Sequence, residues 1–151
     1  MGARDRGSRR NVERGPQIQV VRVTKAFGSD LFDAVATTDN ADIWAQPADS
    51  ILLAARLELD VPFVAAGLTT FAITLGDAGD NDGILVAGAQ ALRTDAAGTA
   101  YKGKGAYFDA VAGTFWNAAG STIKAYAAAG VANLSTLSAG QVTFVFKYIQ
   151  L

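Results

Sequence analysis

From Ile18 onward, apolar and polar positions alternate along most of this chain, and a period of two marks half-buried strands. In residues 50–61, Ile51, Leu53, Ala55, Leu57, Leu59 and Val61 share one parity, while Arg56, Glu58 and Asp60 take the other. This predicts a strand with its apolar row turned toward a core. The alternation recurs in residues 70–75, with Phe71, Ile73 and Leu75 inward. It recurs again in residues 141–149, with Val142, Phe144, Phe146 and Tyr148 on one face. Residues 18–24, 43–46, 84–89 and 122–127 are further expected strands.

Turn chemistry separates these runs. Phe27-Gly28-Ser29-Asp30, Thr38-Asp39-Asn40, Pro47-Ala48-Asp49, residues 76–83, Lys102-Gly103-Lys104-Gly105 and Ser138-Ala139-Gly140 combine glycine, proline, asparagine and aspartate, the residues that tolerate or pre-set turn angles. Seven or eight short strands at this spacing predict an all-β, antiparallel sandwich or barrel-like body. Residues 30–35 are compatible with one helical turn. Residues 107–116 place Tyr107, Val111 and Phe115 at helical spacing, but Gly113 and the Phe115-Trp116 pair favour two strands there. Gly88, Ala89, Ala91, Ala96, Ala97, Gly98 and Ala100, with residues 127–130, form stretches of small residues with weak intrinsic preference. Such loops are often ordered by packing on a neighbouring chain, which points to an assembly. No repeat of fixed period is present, which excludes solenoids and propellers.

Length and charge divide the chain in two. At 151 residues and 50% hydrophobic it suits one domain with a core. Residues 1–17 read as an extended basic arm bearing Arg4, Arg6, Arg9, Arg10 and Arg14, and residues 18–151 as a single β domain. Residues 1–25 carry seven basic side chains against Asp5 and Glu13, a net +5. The remainder therefore carries −6 within a total of −1. No apolar run reaches the roughly 18–20 residues of a membrane helix, and no signal-peptide apolar stretch follows the arginines, so a soluble chain that does not use that export route is expected.

The chain contains neither histidine nor cysteine. Ser/His/Asp and Cys/His nucleophilic arrangements are thereby excluded, as are disulfides and zinc-thiolate sites. Residues 77–82 hold three carboxylates and an amide, candidate hard-oxygen ligands for calcium. Aligned to the standard calcium loop, however, Ala78 and Ala89 fall where its first and last ligands are needed. A hairpin connection explains the same residues. A carboxylate pair such as Asp77 with Asp109 is the arrangement a glycosidase would need, but nothing in the sequence brings the two together. Gly76 and Gly79 lack the lysine and following helix of a phosphate loop. No catalytic, cofactor-binding or metal-binding residue is assigned, and the chain reads as a non-enzyme.

The arginine arm is compatible with three uses: a phosphate contact, a solvated tail, or a strap to an acidic protein surface through forked carboxylate hydrogen bonds. No aromatic residue interleaves with its arginines to stack bases. Trp44, Phe115 and Trp116 are candidate interface aromatics, although a strand tryptophan is more often core. Consecutive strand residues point to opposite faces, so one of Phe115 and Trp116 is expected outward.

The closing segment, Leu134-Ser135-Thr136-Leu137-Ser138-Ala139-Gly140-Gln141-Val142-Thr143-Phe144-Val145-Phe146-Lys147-Tyr148, resembles the carboxy-terminal strand of small structural proteins of tailed-phage heads. The hairpin at residues 71–85, with its aspartate-rich turn, and Thr122-Ile123-Lys124-Ala125 are similar to the same group, the capsid decoration or cement proteins. The resemblance covers about residues 50–151. It implies a β-sandwich or tulip-like body, commonly trimeric, which clamps major capsid subunits on the outer capsid surface of the virion with an extended arm contributing. The partner implied is the major capsid protein, with no cofactor, no membrane and no direct nucleic-acid contact. A head–tail joining, tail or head-fibre protein is an alternative of similar architecture. A carbohydrate- or calcium-dependent module using Trp44, Trp116 and the aspartate loop is another, and a nucleic-acid binder a third.

Overall fold

The computed structural model describes residues 15–88, 90–103, 105–108 and 116–151, with 116–118 given by backbone alone. Arg4, Arg6, Arg9, Arg10, Arg14, Asp109 and Phe115 lie outside the described residues, as does the side chain of Trp116. Eight strands follow in chain order: β1 (Ile18–Ala26), β2 (Thr38–Ala45), β3 (Ser50–Val64), β4 (Phe71–Gly76), β5 (Ala100–Lys102), β6 (Trp116–Ala118), β7 (Thr122–Ala129) and β8 (Ala139–Gln150). They form two antiparallel sheets. One runs β1-β8-β3-β5, with β6 also on β3, and the other runs β2-β7-β4. The architecture is an all-β sandwich.

Inner-face residues of both sheets make one core. Val142, Phe144 and Phe146 of β8 and Leu57 and Leu59 of β3 meet Ile123 and Ala125 of β7 and Ile73 and Leu75 of β4. At one end Phe63 stacks on Phe71 with centroids 4.2 Å apart, and the Phe32 ring meets Phe63 edge-on at 5.1 Å. Aromatic pairs of this geometry add about 0.5–1.5 kcal/mol beyond area burial. Gly140 is needed here. Its φ is +141°, and a Cβ on it would sit 2.1 Å from the Phe63 ring.

Four expectations are corrected. The β3 row is not a single parity: register shifts after Leu52, so Leu52 is fully buried in place of Leu53, and Ala55, Leu57 and Leu59 resume the inward row. A bulge sets two residues against one and re-aims every side chain on one side of it. A second shift follows Leu59 and leaves Val61 42% exposed, and a third, between Val61 and Val64, returns Phe63 to the inside. Residues 84–88 form no strand, and Ala89 lies outside the described residues. Leu85 makes an isolated bridge to Leu75, and the Gln90 side chain occupies the β4 edge beyond it. Thr38-Asp39-Asn40 is not a turn but the start of β2, paired with Ala128, Ala127 and Tyr126. Residues 30–35 hold no helix: two consecutive turns, closed by Ser29 N–H to Ala26 O and Phe32 N–H to Ser29 O, carry the chain through residues 26–32, and residues 33–35 are irregular. The turns tuck Leu31 and Phe32 fully into the core. Most of residues 107–116 lies outside the described residues. Ala106–Phe108 is a single 3₁₀ turn.

Candidate interaction surfaces

The outer face of the larger sheet is built by register. Arg22 of β1 and Arg56 of β3 both pair with Val145 of β8, one from each side, and Lys102 of β5 pairs with Arg56. Four strands thus set Arg22, Val145, Arg56 and Lys102 in one row. The adjacent row is Val20, Lys147 and Ala54. Together these rows line an open groove of about 350 Å³ with an apolar floor and four cations around it. The Glu58 carboxylate bridges two of them, accepting from Arg56 Nη2 at 2.6 Å and pairing with Arg22. Exposed pairs of this kind contribute about 0.2–1 kcal/mol each and mainly orient the guanidiniums. Lys102 and Lys147 make no ion pair among the described residues.

The next row is a polar ladder. The Thr143 hydroxyl donates to Asp60 Oδ2 at 2.7 Å and lies 2.8 Å from the Thr24 hydroxyl, tying β1, β8 and β3 together. These bonds satisfy Thr143, which is buried although it faces outward.

The aspartate loop behaves as a turn. Asp77 Oδ1 accepts from the backbone N–H of Gly79 at 2.8 Å and of Asp80 at 3.0 Å, and from the Tyr107 hydroxyl at 2.9 Å. The Tyr126 hydroxyl donates to Asp77 O at 2.9 Å. Burial works to raise the Asp77 carboxyl pKa, but these three hydrogen bonds outweigh it and hold the pKa below the usual value. The Tyr107 hydroxyl is pushed up to about 12 by burial and by its bond to Asp77. A hydrogen bond with Asp80 raises the Asp82 carboxyl. Asp77 Oδ1 thus serves its own loop and Tyr107, and among the described residues no three carboxylates converge as a metal site.

Trp44 on β2 is half-buried, its ring stacked on Phe146 at 5.1 Å and tilted against Tyr148 at 5.0 Å. It joins the two sheets. The backbone of Trp116 pairs with Leu52 on the larger sheet. Sequence reasoning missed the cationic groove. Alternation had turned Arg56 outward, but the meeting of Arg22, Arg56 and Lys102 depends on pairings between distant segments.

No protein-family model matches the sequence, and no curated protein matches it either. Solved structures do match. A chain of the cyanophage Pam1 capsid asymmetric unit superposes with a TM-score of 0.62 at 20% identity, covering 100% of this chain and 97% of that one. The fold is one found in phage capsids. A chain of the capsid of Ralstonia phage GP4 matches at TM-score 0.52 and 16% identity, over 89% of this chain and 85% of that chain. A chain of the acid-stable capsid of Helicobacter pylori bacteriophage KHP30 matches at 0.50 and 13%, over 89% and 92%.

Proposed function

We propose that this chain is a non-enzymatic phage virion protein that decorates and stabilises the outside of a capsid by bridging major capsid subunits. The observation that carries this reading is the near end-to-end match to a chain of the Pam1 capsid. The likeness covers 100% of this chain and 97% of that one. The composition agrees: a chain without histidine or cysteine is poorly equipped for catalysis and sufficient for holding.

The mechanism is stapling. A protein that binds only the closed shell stabilises it by mass action against opening. A trimer would present three arms at high effective concentration, so weak contacts add up to firm attachment. The arginines at positions 4, 6, 9, 10 and 14 supply forked donors for carboxylates on neighbouring subunits. The test is co-sedimentation of the chain with empty shells assembled from the major capsid protein alone. The full chain binds and raises the temperature at which shells open. A version lacking residues 1–17 stays folded and fails to bind. Equal occupancy by both versions sinks the role of the arm, and no binding by the full chain sinks the reading.

A further inference from the structure

Among the described residues the sheets leave four strand edges, and three carry devices against further pairing. On β4, the Gln90 side chain bonds both backbone groups of Ile73, and Leu85 bridges Leu75. On β2, register shifts between Asp42 and Trp44, and the Asp39 carboxylate takes the N–H of Asn40. The edge opposite β1 is made of β5 and β6, three residues each. Short strands, bulges and charged side chains are the usual guards of an exposed edge.

β1 is neither short nor bulged, and of these guards it carries only charged side chains, Arg22 and Lys25. It pairs with β8 over nine residues without a register shift. Among the described residues, no backbone group of residues 18–25 is bonded on the side away from β8. Its outward row is Ile18, Val20, Arg22 and Thr24, with Ile18 56% and Val20 59% exposed. Such a strand is a template for one more.

Resting on the decoration reading, we infer that the free edge of β1 receives an extended, carboxylate-bearing segment of the shell protein as an added strand. Charge selects this occupant. β1 carries Arg22 and Lys25 and no acidic residue, so β1 of a second copy brings cations to cations, and like charges on facing strands destabilise the pair. Glu58 takes Arg22 through Nη2, which leaves the other guanidinium donors; a carboxylate opposite them extends the row Arg22–Val145–Arg56–Lys102 by a complementary charge, while apolar neighbours cover Ile18 and Val20. The backbone supplies affinity and Arg22 supplies register.

The test uses the full chain with its arm intact and empty shells of the major capsid protein as probe. Ile18→Glu with Val20→Glu places two carboxylates on the exposed row, and Arg22→Glu alone reverses the selecting charge. Val35→Glu, at an 83% exposed position in the β1–β2 connection, is the control. The double variant and Arg22→Glu each weaken shell binding at least tenfold, Val35→Glu leaves it unchanged, and β1 amides exchange more slowly on the shell than in the free chain. If the double variant does not fold, Arg22→Glu and the exchange measurement carry the test. Wild-type-like binding by the folded edge variants, or unprotected β1 amides on bound chain, overturns the inference and leaves the decoration reading standing. Loss of a self-assembled oligomer in the double variant also overturns it, because the edge then joins two copies. Failure of the wild-type chain to bind shells removes both.

Discussion

The Gln90 side-chain amide pairs with both backbone groups of Ile73, its Oε1 accepting from the N–H at 2.9 Å and its Nε2 donating to the carbonyl at 2.6 Å. One side chain thus stands in for a neighbouring strand. Gln90→Ala leaves two partly buried backbone groups unpaired, at a cost of about 1–3 kcal/mol. Thermal unfolding should show a drop of several degrees, since about 2–4 °C follows each kcal/mol at this size. Light scattering should rise with concentration as the β4 edge opens.

Gly140 and the Phe63 ring occupy space that a methyl group would need. Gly140→Ala should lose about 2–3 kcal/mol in denaturant unfolding, part from the clash and part from its positive φ. In a Phe63→Leu background the same change should cost less. Strict additivity of the two would contradict the contact.

Asp77 and Tyr107 make stability depend on pH at both ends. The folded Asp77 pKa is depressed, so its contribution is present above the unfolded value near 3.8 and lost as pH falls through the folded one. The folded Tyr107 pKa is raised to about 12. Its contribution is therefore complete below the ordinary tyrosine value near 10 and lost as pH climbs toward 12. The gap in melting temperature between wild type and Tyr107→Phe should narrow from pH 10 to 12. The gap for Asp77→Asn should narrow as pH drops below 4. Gaps independent of pH would contradict the hydrogen bond.

Trp44 links the sheets through Phe146 and Tyr148. Trp44→Ala should cost about 2–4 kcal/mol, with Trp44→Phe retaining most of the stability. Equilibrium denaturation followed by far-UV circular dichroism checks the order of the two.

Strands with unbroken alternation were legible in advance. β4, β7 and β8 appear within two residues of their expected ends at each terminus, and β8 buries the four residues its pattern nominated. Alternation is blind to an inserted residue, so the bulge after Leu52 was invisible until β8 supplied the partner register. Thr38-Asp39-Asn40 has turn chemistry locally, yet β7 recruits it into a sheet. β5 hides among small residues because its identity comes from pairing with Arg56, Leu57 and Glu58. The cationic groove has the same origin. Its members are unremarkable singly, and only the pairing of β1, β8, β3 and β5 lines them up.

Decoration requires that many copies of this chain coat a capsid. The most direct measurement is electron microscopy of empty shells of the major capsid protein incubated with gold-labelled chain. A decoration protein gives label spaced regularly over the whole shell. Label confined to one vertex or to projecting fibres, or no label at all, would contradict the account.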